Sequence, residues 1–353
     1  MTSPVLMTPG DLSAFAAGIL AGAGSAPEDA GIVAASLVWA DLRGRHSQGV
    51  FRLGVLANML EHGIITSPAE MIWSEQAPAI AHLDAANGFG QVAGGRAMRR
   101  AIELAKVMGI GMVTVNQSNH YGAAAYYSAM AAEAGCAGFT TTNATPKAAP
   151  HGGTKPVFGT NPISFGCPAA PGAPVLVDFA TSAIAGSTIR TIKEAGGTLP
   201  EGTALDSRGI PTTDPLAADA GSLLAAAGPK GSGLALMVEV LSAILPVAGL
   251  SREIGPLYKE WRRGGNCGHC FMAIDIARTQ PMSRYHERMD ELLGFVRDSS
   301  DAHASPVRYP GELRGELERR YSREGIPIDE TTSRLLERLA RRLHVEVPWK
   351  QNS

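Results

Sequence analysis

The spacing of apolar positions changes twice along this chain. Near the N-terminus apolar residues recur at helical spacing, which predicts helices over residues 9–24, 25–42 and about 51–61. From residue 78 onward strand-like and helical patterns alternate, with strands predicted at residues 78–83, 110–115 and 137–142. In the last third, charged amphipathic helices are predicted over residues 283–299, 311–323 and 329–344. This order predicts that the two termini pack together around a central, sheet-rich part.

Two stretches depart from these regular patterns. Residues 143–215 are rich in Gly, Pro and Thr, so short strands at 162–165 and 175–179 and binding loops between them are expected. Residues 234–250 are almost wholly apolar, but Glu239 lies among them. A buried charge-bearing helix is therefore predicted there rather than a membrane span.

Composition excludes several classes of protein. Hydrophobic residues make up 45% of the 353 residues, which is enough for a buried core, and the net charge of -2 provides no positive field for nucleic acid or anionic membrane. The first residues, MTSPVLMTPGDL, have no basic stretch before an apolar one, so no secretory signal is expected. Four cysteines are too few for a disulfide scaffold. We expect a cytoplasmic protein with neither nucleic acid nor membrane as a partner.

Two short motifs resemble sites for other chemistry. Gly88, Gly90 and Gly94 lie between a predicted strand and a predicted helix, but the third glycine comes one place late for a Rossmann dinucleotide loop. A tight turn without cofactor is the better interpretation. Cys267 and Cys270 form a C-x-x-C pair, which elsewhere binds zinc or carries redox chemistry. No second pair lies at ligand spacing, so no metal site is predicted.

Three polar clusters are better candidates for a functional site. Arg52 lies at the start of a predicted helix and can bind a carboxylate through two hydrogen bonds. His120 follows an apolar strand, and its side chain could act as acid or base. A surface turn and a structural histidine are the alternatives for these two. Lys230 begins the apolar helix, where a cation opposes the helix dipole and needs an anionic partner such as a phosphate or carboxylate.

Together these motifs resemble the malate/L-lactate dehydrogenase-like family, which includes ureidoglycolate, sulfolactate and diketogulonate oxidoreductases and the ketimine reductases. The resemblance covers nearly the whole chain. The motifs occur in the order ADLRG with SxG at 40–49, NxxSNHYGAA at 116–124, GTNPI at 159–163, DFATS at 178–182, PKGSGLAL at 229–236, NxGHxF at 266–271 and YPGE at 309–312.

The resemblance implies a homodimer with a mixed α/β, non-Rossmann fold. A central, mostly antiparallel cofactor-binding sheet domain, residues 117–284, would be flanked by a helical substrate and dimerisation domain formed from both termini, residues 1–116 plus 285–353. The cofactor would be NADPH, with NADH possible, and the substrate a small imino or oxo acid. Residues implied to bind the cofactor are His120, Tyr121, Gly122, Ala123, Ala124, Asp178, Phe179, Ala180 and Lys230. Residues implied to bind the carboxylate end of the substrate are Ser47, Arg52 and Thr160.

Two departures from the family pattern affect the expected chemistry. The family usually has Asp-Ser-His-Gly where this chain has His46-Ser47-Gln48-Gly49, so Gln48 replaces the usual proton donor. On the substrate side, Gly186 and Ser187 occupy the segment where the family often has an arginine. The loss of that arginine suggests a bulkier or less anionic substrate.

The first departure favours a C=N substrate. Glutamine donates a hydrogen bond but cannot supply the proton that a developing alkoxide requires. The nitrogen of a protonated imine already carries its proton, so Ser47 and Gln48 would need only to orient it. We therefore expect an NAD(P)H-dependent reductase acting on a C=N bond next to a carboxylate. The alternatives are a 2-hydroxy acid dehydrogenase, in which His120 or His46 replaces the lost donor, and a catalytically silent binding paralogue.

Overall fold

The computed structural model describes residues 4–169, 172–256, 264–299 and 307–349, and it begins with a short strand and three helices. These are β1 (Val5–Met7), α1 (Pro9–Gly22), α2 (Pro27–Leu42) and α3 (Leu53–Glu61). The Thr8 hydroxyl caps α1 by accepting the Asp11 backbone N–H at 3.1 Å. Pro9 takes the first helical position, where its missing N–H costs nothing.

The remaining elements alternate between strands and helices. The strands are β2 (Ile72–Ala77), β3 (Ile80–Asp84), β4 (Ile110–Ser118), β5 (Cys136–Thr142), β6 (Ile163–Cys167), β7 (Val175–Phe179), β8 (Ala204–Leu205), β9 (Ser222–Leu223), β10 (Cys267–Asp275) and β11 (Ile326–Ile328). The helices are α4 (Gly90–Met108), α5 (Ala124–Glu133), α6 (Gly186–Glu194), α7 (Pro215–Ala220), α8 (Pro229–Glu239), α9 (Met282–Asp298), α10 (Glu312–Glu324) and α11 (Glu330–Arg342).

Seven strands form the central sheet, in the order β2-β3-β4-β10-β5-β6-β7. Only β3 and β4 pair in parallel in the described sheet, and the crossover between them is helix α4. Helices α4 and α5 cover one face, where Val113, Tyr127 and Phe271 are fully buried. The expected mixed α/β fold with a mostly antiparallel central sheet is confirmed.

The opposite face of this sheet carries a row of apolar side chains. Six neighbouring strands each contribute one residue, and each residue is paired with the next across the sheet. These residues are Ile80, Met112, Met272, Phe139, Phe165 and Val177. Each of these side chains is at least partly exposed, and Ile80 and Phe165 reach 39% and 38%. We call these six residues the apolar row. Such a continuous apolar strip is unusual for a surface that faces only water.

Helix α8 and the π-helical turn after it (Val240–Ile244) cover one end of the same face. The hydroxyls of Ser242 and Thr141 on β5 are hydrogen-bonded at 2.8 Å. The predicted buried helix is buried on its inner side, at Ala235, Val238 and Glu239. Its outer side differs from the prediction, since Leu236, Val240 and Ile244 are exposed. Their exposed fractions are 57%, 42% and 53%. Among the described helices, none has both the length and the apolar character needed to cross a membrane.

The C-terminal part returns to the N-terminal helices, as the order of elements predicted. Strand β11 pairs antiparallel with β1. Leu336 and Leu339 of α11 share one core with Leu12 and Phe15 of α1. The central sheet contains strands from both sides of the predicted 116/117 boundary. The division into two domains therefore stays a prediction.

Candidate functional site

A buried carboxylate shapes the loop between α2 and α3. Asp41 is 1% exposed; its Oδ2 accepts the Val50 backbone N–H at 2.7 Å, and its Oδ1 lies 2.9 Å from His46 Nδ1. A Cβ at position 49 would lie 2.1 Å from this carboxylate, so only glycine fits there. Burial raises the pKa of Asp41, and the hydrogen bond to Asp41 raises the pKa of His46. Asp41 therefore fixes the conformation of this loop through its contacts with Val50 and His46.

This loop presents the predicted substrate-side residues. Arg52 is 7% exposed, and its Nε donates to the Ser47 carbonyl at 2.8 Å. The side-chain oxygen Oε1 of Gln48 is buried and has no hydrogen-bond partner among the described residues. A buried acceptor without a partner is costly. A ligand that donates a hydrogen bond would remove that cost.

His120 lies just beyond the end of β4 and is electrostatically coupled to Arg52. A Cβ on Gly90 would lie 2.2 Å from the Asn119 carbonyl oxygen and 2.7 Å from the His120 backbone, so α4 begins directly against this segment. Burial, then the charge of Arg52, then His269 lower the pKa of His120 to about 3. His120 is therefore neutral at physiological pH.

The ring of Tyr121 belongs to the core. It is stacked on His269 with ring centroids 4.7 Å apart and on Tyr127 at 4.8 Å. His269 is hydrogen-bonded through its two nitrogens to the hydroxyls of Thr142 (2.7 Å) and Ser118 (2.8 Å). Burial lowers the pKa of His269 to about 3. The Tyr121 ring is 1% exposed and packs in the core, and its hydroxyl has no hydrogen-bond partner among the described residues.

Two of the segments predicted to bind the cofactor lie next to each other. Asp178 Oδ2 accepts the backbone N–H of Ala125 at 3.3 Å, at the start of α5 directly after Ala123 and Ala124. Arg45 Nη1 lies 3.1 Å from the same oxygen. Burial raises the pKa of Asp178, and the charge of Arg45 opposes that shift. Asp178 thus joins β7, α5 and the loop that follows α2.

The start of α8 adjoins the end of the DFATS segment, which also contains Phe179 and Ala180. The backbone N–H of Ala226 donates to the Thr181 carbonyl at 2.9 Å. Lys230 is exposed in the first turn of α8, and that turn contains no acidic residue. Both the lysine and the helix N-terminus therefore favour an anion at this position.

Helix α6, which the sequence did not predict, carries the second substrate-side segment. A Cβ on Gly186 would lie 3.9 Å from Thr160 Cγ2, so these two predicted substrate residues are neighbours, with Ser187 next along the helix. The guanidinium of Arg190, one turn further, lies 4.7 Å from the centroid of the Phe51 ring. Arg190 was missed because the nine residues of α6 contain only two apolar side chains, Ile189 and Ile192, which is too short a pattern to predict a helix.

Other sequence candidates lie elsewhere. His46 contacts Asp41 at 2.9 Å, and its side chain is 40% exposed. Cys267 and Cys270 are both buried in β10 as free thiols, and burial raises the pKa of each to about 12.

The matching family model is that of malate/L-lactate dehydrogenase, and it covers residues 7–337. The chain belongs to this family. A malate dehydrogenase of Pyrococcus abyssi is 40% identical over 298 residues, which are 82% of this chain and 81% of that protein. A Delta(1)-pyrroline-2-carboxylate/Delta(1)-piperideine-2-carboxylate reductase of Pseudomonas aeruginosa is 35% identical over 294 residues, 82% of this chain and 86% of that protein.

Solved structures agree with this assignment. The sulfolactate dehydrogenase of Methanocaldococcus jannaschii superimposes with a TM-score of 0.89 at 33% sequence identity, covering 97% of this chain and 98% of that one. As a member of the malate/L-lactate dehydrogenase family, the protein is an oxidoreductase. The alternative of a non-catalytic paralogue is therefore not retained.

Members of the malate/L-lactate dehydrogenase family use nicotinamide cofactors. The residues of this chain fit such a group. The cation of Lys230 and the N-terminus of α8 provide the positive charge that the phosphates require. The buried Oε1 of Gln48 has no hydrogen-bond partner among the described residues, and a bound ligand would supply one.

Proposed function

We propose that this protein is an NAD(P)H-dependent reductase that transfers hydride to a C=N bond next to a carboxylate, with NADPH as the preferred cofactor. What supports the proposal is that neither Gln48 nor His120, the two residues proposed to lie beside the reacting group, can release a proton at neutral pH. Gln48 has no acidic proton, and the pKa of His120 is lowered to about 3. Ketone reduction needs such a proton, whereas reduction of an iminium does not.

The hydrogen bonding of Gln48 supports the same choice. Its buried Oε1 is an acceptor without a partner among the described residues. The N–H of a protonated imine is a donor that would satisfy it, whereas a ketone oxygen is itself an acceptor. Arg52, with Ser47 and Thr160, would bind the adjacent carboxylate and so fix the orientation of the C=N bond.

The bound cofactor would supply the hydride. In this proposal the chain's own residues do three things. Lys230 and the residues around Asp178 hold the cofactor, Arg52 holds the carboxylate, and Gln48 accepts the N–H. The partly buried His120 beside Arg52 adds no positive charge, so the iminium meets no further cation there.

A 2-hydroxy acid dehydrogenase is the second candidate. Oxidation of a hydroxy acid needs a group that takes the hydroxyl proton, and His120 is the candidate from the sequence. Its pKa of about 3 and the Gly122 N–H that its Nδ1 accepts at 3.2 Å make it a weak base, so this candidate ranks second. The name of the Pyrococcus relative also agrees with this activity. The two candidates differ in the preferred direction, reduction or oxidation, and in the preferred substrate, an imino acid or a hydroxy acid.

The test is NADPH and NADH oxidation by the purified protein with pyruvate, with pyruvate plus methylamine, and with a cyclic six-membered 2-imino acid. We expect turnover only where a C=N bond is present. In Gln48→His, which introduces a group that can carry a proton, pyruvate reduction should rise about 10²-fold, the lower end of general-acid effects. Brisk turnover of pyruvate by the unchanged protein, without any turnover of imino acids, would contradict the proposal and favour the dehydrogenase.

We further propose that the protein is a homodimer, in which the terminal helices form the substrate and dimerisation domain and residues 117–284 the cofactor domain. The apolar row and the exposed side of α8 support a dimer whose interface includes the central sheet and α8 as well as the terminal helices. Both lie on the same side of the sheet, and Leu236 and Ile244 are more than half exposed in the single chain. A second copy would remove these side chains from water.

A further inference from the structure

Arg45 connects the loop that presents the substrate-side residues with the strand that carries Asp178. Its Nη1 lies 3.1 Å from Asp178 Oδ2, and its Nη2 donates to the Asp178 backbone carbonyl at 3.4 Å. The guanidinium therefore contacts both the side chain and the main chain of the same residue, near the end of β7. Two contacts made by one planar group fix its orientation as well as its distance.

The backbone of Arg45 is bonded to the turn that carries Gln48. Arg45 directly precedes the 3₁₀ turn His46–Gln48, and its carbonyl accepts the backbone N–H of Gln48 at 2.8 Å. The carbonyl of Ser47, in the middle of that turn, accepts Arg52 Nε. A displacement of Arg45 therefore moves Gln48 and Arg52, the two side chains proposed to contact the substrate.

Asp178 extends this connection to the start of α5, where further cofactor contacts are proposed. Its Oδ2 accepts the backbone N–H of Ala125 at 3.3 Å. The Asp178 side chain is 8% exposed and that of Arg45 is 28% exposed. A nearly buried carboxylate is costly without a neighbouring cation, so the positions of Asp178 and Arg45 depend on each other.

We propose that Arg45 is a positioning residue that couples cofactor binding to substrate binding. A cofactor at Asp178 fixes the carboxylate, the carboxylate fixes the Arg45 guanidinium, and the Arg45 carbonyl fixes the turn of Gln48. A substrate that arrives afterwards loses less entropy in ordering this turn, so it binds more tightly. By linkage, the substrate strengthens cofactor binding by the same factor. This inference rests on the proposed function, in which Asp178 binds the cofactor and Gln48 the substrate.

The test measures this coupling without any chemical step. The cofactor fragments are ADP-ribose and its 2′-phosphate, which lack the nicotinamide ring and so cannot stack on the substrate. The substrate probes are pyrrole-2-carboxylate, with a ring N–H beside a carboxylate, and oxamate, which resembles a 2-oxo acid. Calorimetry on the full chain gives the affinity of each probe with and without the fragment. We expect a probe to bind at least about fivefold more tightly when the fragment is present.

Three variants separate coupling from stability. Arg45→Met removes the guanidinium and should reduce the enhancement below about twofold, with little change in probe affinity when no fragment is present. Arg45→Lys can restore one contact with Asp178 and should regain part of the enhancement. The control is Lys106→Met, because Lys106 Nζ lies 2.7 Å from Asp275 Oδ1, a carboxylate that is also 6% exposed at the end of a strand. It should keep the full enhancement.

Hydrogen exchange of the peptide that contains Gln48 provides a second readout. In the unchanged protein the fragment alone should slow exchange in this turn, and in Arg45→Met it should not. A merely structural role would raise the exchange rate equally with and without the fragment. No enhancement for either probe in the unchanged protein, or full enhancement in Arg45→Met, would overturn the inference.

Because both readouts report binding, they are independent of the reaction catalysed. Enhanced binding of oxamate together with no C=N reduction would overturn the proposed function and leave the role of Arg45 intact. Rapid reduction of cyclic imino acids without any enhancement would do the reverse.

Discussion

Burial determines what each histidine of this site can do. His269 is fully buried between two hydroxyl groups and a tyrosine ring, and its pKa falls to about 3. His120 shows the same shift for the same reason, with Arg52 adding to it. The sequence identified His120 as a candidate through its position after an apolar strand. It could not show the protonation state, because that depends on neighbours from distant parts of the chain.

The pKa of His269 leads to a prediction about stability and pH. The folded protein keeps His269 neutral down to about pH 3, whereas the unfolded chain binds a proton below the ordinary value of 6.5. The stability is therefore fully present above pH 6.5 and is lost as the pH falls toward 3. Within that window one such histidine lowers the free energy of unfolding by about 1.4 kcal/mol per pH unit.

Chemical denaturation between pH 7 and 4.5 measures this effect. His269→Gln should have a lower stability at pH 7 but a shallower decline as the pH falls. His62→Gln, at an exposed position, is the control and should keep the full slope. An unchanged slope in His269→Gln would mean that this histidine is not the buried titrating group.

At the scale of elements, what the sequence could predict depended on burial. Strands and helices with one buried face gave clear patterns, and β4, β5, β7 and the three C-terminal helices lie within a few residues of their predicted positions. Strand β2 was missed because all six of its residues are exposed, so it has no alternation. Helix α6 was missed because nine residues with two apolar side chains give too short a pattern, and Arg190 was missed with it.

Helix α4 supports a prediction about how elements hold the site. Gly90→Ala would place a methyl group 2.2 Å from the Asn119 carbonyl and push the His120 segment away from Arg52. We expect activity to fall at least about tenfold, because small displacements of reacting groups are costly. Gly95→Ala, in the same helix, meets only the Arg99 side chain at 3.6 Å and should add about 0.5–1 kcal/mol of stability.

Steady-state kinetics and thermal denaturation of the two variants provide the comparison. Full activity in Gly90→Ala, at an unchanged melting temperature, would show that the start of α4 does not position His120.

At the scale of the whole molecule, the apolar row becomes visible only after six strands are in register. Its members are spread from residue 80 to residue 272, and each lies in a strand of ordinary alternation. The sequence therefore gave the fold class through resemblance and local pattern. It could not give the open sheet face, since that face depends on long-range packing.

The homodimer proposal predicts the effect of a charge in the apolar row. Phe165→Glu would bring a carboxylate into the interface and should convert the dimer to a monomer. The control is Ile210→Glu, which changes a residue that is 49% exposed and lies outside the sheet. Light scattering after size-exclusion chromatography measures the mass. A dimer that survives Phe165→Glu would mean that copies associate through another surface.

The pairing of β1 with β11 has a consequence for the order in which the protein is made. Val5 leaves the ribosome long before its pairing partner Ile328. The core of α1 and α2 also remains incomplete until Leu336 and Leu339 have been made. Helices α1 and α2 must therefore remain incompletely covered while the residues between them and α11 are synthesised, a period in which exposed apolar surface favours aggregation. A chain whose synthesis stops before residue 326 would keep that surface exposed and become a target for chaperones and proteases.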